Sequence, residues 1–187
     1  MSDALAPGGL ILILEPALKI TSERLQRLSD AVVAHKIIPR IGPDLDDAPC
    51  PQLAAGVHWS HEVRAWSIPS ATEIINRQLH RDLREIRFSF SSFSTQPLPP
   101  IPTQAIRIVS DIQIIKGLVR FIGISHGALQ TVEVSTRGLS KHDIKARAAM
   151  LERGDTVAHT LPPASKVRLP DFDSLQVIWS GQRTASN

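Results

Sequence analysis

Residues 105–135 form the stretch that most constrains what this chain can fold into. They are the longest run dominated by Ile, Val, Leu and Phe, and small turn-forming residues interrupt them at short intervals. Lys116-Gly117 and His126-Gly127 suit tight reversals, because glycine supplies the positive φ that hairpin turns require. The pattern predicts an antiparallel β-meander whose apolar face the other segments must cover.

The composition is typical of a globular protein. The chain has 187 residues, of which 42% are hydrophobic, and a formal net charge of +3. Its single cysteine, Cys50, excludes an intramolecular disulfide and favours a reducing compartment. The length favours one domain, so we expect residues 1–187 to fold as a unit with flexible ends at 1–9 and 181–187.

The first apolar run, residues 10–14, predicts a strand rather than a targeting segment. It ends at Glu15-Pro16 and is too short for a signal peptide core or a membrane span. We therefore expect an intracellular, cytoplasmic protein (in the host cell, if the source is viral). Continuous apolar character predicts that this strand is buried on both faces.

Three helices are predicted around the strands. The first begins at Thr21 or Ser22, since either hydroxyl can cap the first turn. The second begins at Ser70, which forms an S-x-x-E capping box with Glu73, and the third is capped by Ser140. The second helix is expected to bury an apolar stripe made of Ile74, Ile75, Leu79, Leu83 and Ile86.

The remaining segments complete an α+β pattern. Residues 39–67 are rich in proline and predict a long ordered loop with, at most, a short helix or strand near its end. Alternation of Leu175, Val177 and Trp179 predicts an edge strand. The chain should therefore form a mostly antiparallel sheet, built from the meander and flanking strands and covered by two or three helices.

Basic residues are unevenly distributed. Residues 101–150 contain seven basic residues and only three acidic ones, and the second helix carries three arginines on its outer side. Such a surface can bind RNA, an acidic membrane or an acidic protein, although Glu73–Arg77 and Arg81–Glu85 have the spacing of ordinary helical ion pairs. The residues that we expect to form a binding surface are Arg77, Arg81, Arg84, Arg120, Lys141, Lys145 and Arg147.

Gly123-Ile124-Ser125-His126-Gly127 matches G-x-S-x-G, the nucleophile elbow of serine hydrolases. That chemistry needs a serine on a strand-to-helix turn, with a base and an acid. The base could be His142 or His159 and the acid Asp143, Asp155 or Asp171, of which His159 and Asp155 are our candidates. The residues after Gly127 are rich in β-branched side chains, however, and predict another strand. A hairpin turn is therefore the favoured interpretation of Ser125, and a small serine hydrolase is an alternative.

Two other patterns carry alternative hypotheses. Cys50, His58 and His61 are of the ligand types that zinc prefers, but their spacing matches no zinc motif, and we expect no metal or cofactor. Residues 96–102 are proline-rich, so they suit either a stiff connector or a ligand for a partner's aromatic groove.

The function that these patterns favour is non-enzymatic. Size, basicity and the lack of catalytic signatures fit a small binding or assembly protein that contacts an anionic surface. A viral matrix-like or accessory structural protein that forms homo-oligomers would have these properties. The alternatives are the serine hydrolase and an adaptor that binds protein partners through residues 96–102.

Overall fold

Two β-sheets with helices at their faces and ends make up the chain. The computed structural model describes residues 5–56, 59–81, 83–96, 102, 104–162 and 164–179. Over these residues it shows eleven strands in two sheets and four α-helices. The predicted α+β class is therefore confirmed.

The first sheet, sheet A, is antiparallel and is organised around its longest strand. It contains β1 (Leu10–Pro16), β2 (Arg40–Gly42), β3 (Glu62–Ala65) and β4 (Glu85–Ser94). β1 pairs with β4 along its whole length, and β2 and β3 share the other edge of β4. The helices that precede and interrupt these strands are α1 (Lys19–Ala34), α2 (Pro51–Ala55) and α3 (Ser70–Gln78).

The predicted burial of β1 on both faces is wrong. Ile11 and Ile13 pack toward α1, against the small core of Val32, Ile38 and Phe93. The leucines that alternate with them, Leu10, Leu12 and Leu14, point to the opposite face and are exposed. A run of apolar residues does not distinguish a central strand from an edge strand, and β1 lies at the edge of sheet A.

The second sheet, sheet B, contains the predicted meander. Its strands are β5 (Ala105–Ile108), β6 (Gln113–Ile115), β7 (Leu118–Ser125), β8 (Ala128–Ser135), β9 (Thr156–His159), β10 (Lys166–Leu169) and β11 (Leu175–Trp179). The order is β10-β8-β7-β5-β9-β11, with β6 also paired to β7. Only β10 runs parallel to its neighbour, β8, and β11 is at the edge, as its alternation predicts.

Sheet B supplies the larger core. Its buried members include Ile106, Val119, Phe121, Val132 and Val157. The helix α4 (Lys141–Ala148) and the segment after it cover this core with Ala148 and Leu151, while Ile144 packs at the margin. Ser140 caps α4 by accepting a hydrogen bond from the Asp143 N–H at 3.2 Å, as the sequence predicts.

The predicted burial of the second helix is also wrong. α3 ends at Gln78, and Asn76 is its only buried residue. Ile74, Ile75, Leu79, Leu83 and Ile86, the expected stripe, are all exposed. The physical reason is that α3 lies in the connection between the paired strands β3 and β4, and no other element in the described structure packs extensively against it.

Residues 39–67, predicted as a loop, hold three short elements: β2, α2 and β3. The predicted flexible ends fall largely outside the described residues. Where the first of them is described, the Gly8 N–H donates to Thr95 Oγ1 at 3.0 Å. Of the proline-rich segment 96–102, only Gln96 and Pro102 are among the described residues.

Candidate functional site: a basic tip on sheet B

The structure separates the seven predicted basic residues into paired and unpaired groups. Arg120 contacts Glu133 at 2.6 Å, Arg147 contacts Asp173 at 2.6 Å and Arg77 contacts Glu73 at 3.1 Å. Arg84 is exposed beyond the end of α3. The last three, Arg81, Lys141 and Lys145, are exposed and make no salt bridge within the described part of the chain.

The unpaired lysines of α4 lie close to the β6–β7 hairpin. Lys116 and Gly117 form the turn of this hairpin, since Ile115 pairs with Leu118 on either side of it. The Thr136 N–H donates to the Gly117 carbonyl at 3.1 Å, which places the exposed Arg137 beside the turn. Three residues after Arg137, Ser140 caps α4, which contacts β6 and carries Lys141 and Lys145 on its exposed side.

We name this group the basic tip: Lys116, Arg137, Lys141 and Lys145, with the exposed Ile114 and Ile115 of β6. None of its four bases makes a salt bridge among the residues that the structure describes. Lys116 and Arg137 are absent from the predicted set, because the sequence does not show that one β-turn brings the two loops together.

One acid lies within the basic tip. The Ser140 hydroxyl donates to Asp143 Oδ2 at 2.7 Å, and this bond holds the pKa of Asp143 below its usual range. Asp143 is therefore anionic near neutral pH and offsets one of the four bases. Asp111, at the start of the same hairpin, is within 3.5 Å of Arg153. The tip keeps a clear positive excess.

A second exposed group combines bases with aliphatic side chains. Ile74, Ile75 and Leu79 are exposed on and just after α3, together with Arg77 and Arg81. The Glu73–Arg77 ion pair neutralises part of this charge. α3 is therefore less strongly basic than the tip.

The structure places Ser125 in a strand-to-strand turn. Ser125 pairs with Ala128, and His126 and Gly127, both with positive φ, form the two-residue reversal between β7 and β8. Ser125 is buried, whereas a nucleophile elbow exposes its serine at the start of a helix. The predicted hairpin turn is confirmed.

The candidate partners of Ser125 lie elsewhere in sheet B. His159 is at the end of β9, and β5 lies between β9 and β7. Strands two positions apart are separated by about 10 Å, which is beyond hydrogen-bond reach. Asp155 is fully buried just before β9, where its carboxylate accepts the Glu152 N–H at 2.8 Å. The structure does not assemble these three side chains into a triad.

The structure does not support a metal site at the candidate ligands that it describes. Cys50 is buried, and desolvation, with the nearby Asp44 carboxylate as a smaller contributor, raises the pKa of its thiol to about 11. His58 lies outside the described residues. Over the part of the chain that the structure describes, no three His, Cys, Asp or Glu side chains are grouped to hold a metal ion.

His61 borders a small cavity between the two sheets. The cavity, of about 150 Å³, is lined by Gln52, Trp59, His61, Ser110 and Arg153, with Val109 and Ile122. His61 Nδ1 donates to the Trp59 carbonyl at 3.1 Å, so its Nε2 accepts from Arg153 at 3.2 Å. Burial, and then the Arg153 charge, lower the pKa of His61, which is therefore neutral at pH 7.

A buried network of charges joins the two sheets, and the sequence gives no sign of it. Arg107 of β5 binds Glu62 of β3, and the other carboxylate oxygen of Glu62 is 3.0 Å from Arg64. Arg107 also lies 3.9 Å from Asp44, which is 3.4 Å from Arg40. Arg40 also binds Asp30 at 3.1 Å, so three arginines face three carboxylates in a network that joins the two sheets.

The face of sheet A opposite α1 forms an open apolar groove of about 600 Å³. Its lining is mostly aliphatic and aromatic, with one charged pair at its side: Leu12, Leu14, Ile86, Phe88, Phe90, Glu62 and Arg64. The exposed edge of β1 forms one wall of this groove.

Comparison of the sequence with protein-family models finds no match, and comparison with curated proteins finds none either. Among the described residues, no helix has the length and apolar character needed to cross a membrane. The geometry and charge of the described residues are therefore the basis for inferring a function.

Proposed function

We propose that this protein is a non-enzymatic binding protein that docks on anionic lipid surfaces through the basic tip. The observation that carries the proposal is the position of the exposed Ile114 and Ile115, one on each face of the β6–β7 hairpin, near four bases that make no salt bridge in the described structure. Aliphatic side chains can enter the boundary between headgroups and acyl chains, while lysine and arginine contact the lipid phosphates.

The side chains around the bases favour lipid over RNA. Proteins that bind single-stranded nucleic acid stack the bases on aromatic rings, in addition to contacting phosphates. The basic tip contains no aromatic residue, and aromatics make up only 4% of the chain, with no tyrosine. Aliphatic residues next to bases suit a lipid surface better than a nucleic acid.

The expected affinity is modest and sensitive to salt. Each base near an anionic membrane contributes about 1 kcal/mol, and this contribution falls off within a Debye length of about 8 Å at physiological salt. Four bases partly offset by Asp143 predict reversible binding. A protein that docks in this way and also self-associates could form a structural layer at a membrane, as a viral matrix-like protein does.

Vesicle co-sedimentation tests the proposal. We expect the protein to bind vesicles containing phosphatidylserine, to bind phosphatidylcholine vesicles at least about tenfold more weakly, and to dissociate as salt is raised from 0.05 to 0.5 M. Lys141→Ala/Lys145→Ala should reduce binding through lost charge, and Ile114→Ser/Ile115→Ser should reduce it with little change in salt dependence.

The matched control is Arg24→Ala/Arg27→Ala, which removes two exposed bases from α1. This variant should bind vesicles as the unchanged protein does. Equal losses in the α1 and α4 variants would contradict docking through the tip and indicate attraction by net charge alone. Binding to RNA without binding to anionic vesicles would support the nucleic-acid alternative instead.

A further inference from the structure

β1 has an edge that no strand in the described part of the chain covers, and its first five residues lack the features that normally protect such an edge. Edge strands of natural sheets are shortened, bulged, or marked by lysine or proline, because unpaired backbone groups invite another strand. β1 spans seven residues, and its register with β4 runs without a bulge. Residues 10–14 contain neither a charge nor a proline.

The backbone of β1 presents unused hydrogen-bonding groups. The Ala17 N–H donates to the Arg87 carbonyl, and in an antiparallel pair alternate residues bond to the neighbouring strand. The odd-numbered residues of β1 therefore bond to β4, and the N–H and C=O groups of Leu10, Leu12 and Leu14 point away from it. No residue in the described ranges makes a backbone hydrogen bond to these groups.

The same three residues expose their side chains. Leu10, Leu12 and Leu14 are 58%, 52% and 58% exposed, on the face of sheet A opposite α1. Burial of aliphatic surface stabilises an interface by roughly 25 cal/mol per Å². The edge thus offers both backbone pairing and apolar contact.

We propose that β1 is a self-association site, at which the β1 strands of two copies pair antiparallel across a two-fold axis. Leu12 lies opposite Leu12 of the partner subunit, and Leu10 lies opposite Leu14 of the partner subunit. Each of the three resulting pairs exchanges two backbone hydrogen bonds, because in both copies the N–H and C=O groups of Leu10, Leu12 and Leu14 point away from β4. The two four-stranded sheets then form one continuous sheet.

The ends of the strand fix this register. Sliding the strands one way brings Pro16, which has no N–H, opposite Leu10 of the partner subunit. Sliding them the other way requires the N–H of Gly8, which already donates to Thr95 Oγ1 at 3.0 Å. A second copy therefore fits the edge in one arrangement, and this self-complementarity is what identifies it as the occupant.

The interface is small, so the dimer is reversible. A seven-residue strand is about 24 Å long, and pairing along it covers less than the roughly 800 Å² per partner of a standard interface. Dissociation constants in the micromolar range are expected for such contacts. The proposal does not depend on lipid binding by the basic tip.

Disulfide trapping tests the register. Cys50 is the only native cysteine, and its buried thiol, whose pKa is raised to about 11, will not compete. Leu12→Cys should form covalent dimers under mild oxidation. The Cα atoms of a hydrogen-bonded pair on antiparallel strands are about 5.5 Å apart, which is within the range that a disulfide spans. Leu10→Cys and Leu14→Cys should cross-link poorly alone and efficiently when mixed with each other.

Sedimentation equilibrium tests the affinity. Leu12→Lys places two like charges opposite each other, so we expect the dissociation constant to rise at least about tenfold. Leu28→Lys, on α1, replaces a leucine that is 46% exposed away from this edge and should leave the constant unchanged. A chain that stays monomeric up to about 100 µM, or equal cross-linking of the three single cysteine variants, would overturn the proposal.

Discussion

At the scale of single residues, Glu133 shows how an acid in a basic segment becomes fixed in its ionised form. Its carboxylate is 2.6 Å from Arg120, 2.9 Å from Lys166 and 3.3 Å from Arg168. Hydrogen bonds from Lys166 and then Arg120 lower the pKa of Glu133 from 4.5 to about 2. Three bases share this one acid, so Arg120 is an ion-pair partner of Glu133, and its role in binding stays a prediction.

The depressed pKa of Glu133 predicts a pH dependence of stability. The folded-state value lies below the unfolded one, so the stabilisation is present above about pH 4.5 and is lost as the pH falls toward 2. We expect Glu133→Gln to be less stable than the unchanged protein at pH 7 in urea unfolding. The difference should shrink below pH 4.5.

The comparison variant is Glu23→Gln, which removes the half-buried partner of the exposed Lys19, at 3.8 Å. A surface pair of this kind contributes little, so its effect should be small at every pH. A difference for Glu133→Gln that does not change between pH 5 and pH 2 would contradict the assignment.

At the scale of elements, local sequence signals predict a turn, cap or strand correctly when the residues that form it are close together in the chain. The Gly117 and Gly127 turns, the Ser140 cap and the edge strand β11 are all confirmed, because each depends on residues within a few positions. The alternation in β11 holds only as far as Val177, since the register shifts there and Trp179 is exposed. The burial of β1 and α3 was predicted wrongly. Apolar periodicity shows which side chains share a face, but not whether another element covers that face.

Gly123 of β7 is required by the approach of a neighbouring strand. A Cβ at this position would overlap the Ile106 side chain and lie 2.9 Å from the Arg107 carbonyl oxygen of β5. We expect Gly123→Ala to reduce the free energy of unfolding by about 2–3 kcal/mol, measured by urea denaturation, because the close-packed strands must separate.

Gly117→Ala is the matched comparison for Gly123→Ala. Its position is open but has a φ of +82°, so only the left-handed backbone opposes the new methyl group, at a cost of about 1 kcal/mol. If Gly123→Ala were no more destabilising than Gly117→Ala, the contact between β5 and β7 could not be the reason for the glycine. The glycines of the G-x-S-x-G pattern thus have structural explanations.

At the scale of the whole molecule, the two sheets are joined by charges that are distant in the sequence. Arg107 and Glu62 are 45 positions apart, and both side chains are almost completely buried. No local pattern links them, so this contact was not predictable from one sequence. The basic tip was predicted in part, through Lys141 and Lys145, because α4 itself has clear local signals.

Breaking the Arg107–Glu62 contact should loosen the attachment of one sheet to the other. Removing one member of a buried ion pair leaves an uncompensated charge, so we expect Glu62→Gln to cost about 3–5 kcal/mol in urea unfolding. Glu73→Gln, which breaks the exposed pair with Arg77, should cost less than about 1 kcal/mol.

The double variant Glu62→Gln/Arg107→Gln separates pairing from packing. It should be less destabilised than the sum of its single variants, because the lost Arg107–Glu62 contact is counted twice in that sum. Strict additivity would show that the two side chains stabilise the fold independently and would contradict the role of their contact.

The pairing of β1 with β4 also sets the order in which the chain can fold. Gly8 and Thr95, which hydrogen-bond at the end of this pairing, are 87 positions apart. At a synthesis rate of about 5–20 residues per second, the leucine-rich β1 emerges roughly ten seconds before the strand that must hold it. Over that interval β1 has no β4 to pair with, so its apolar side chains and backbone groups are open to contacts with other nascent segments.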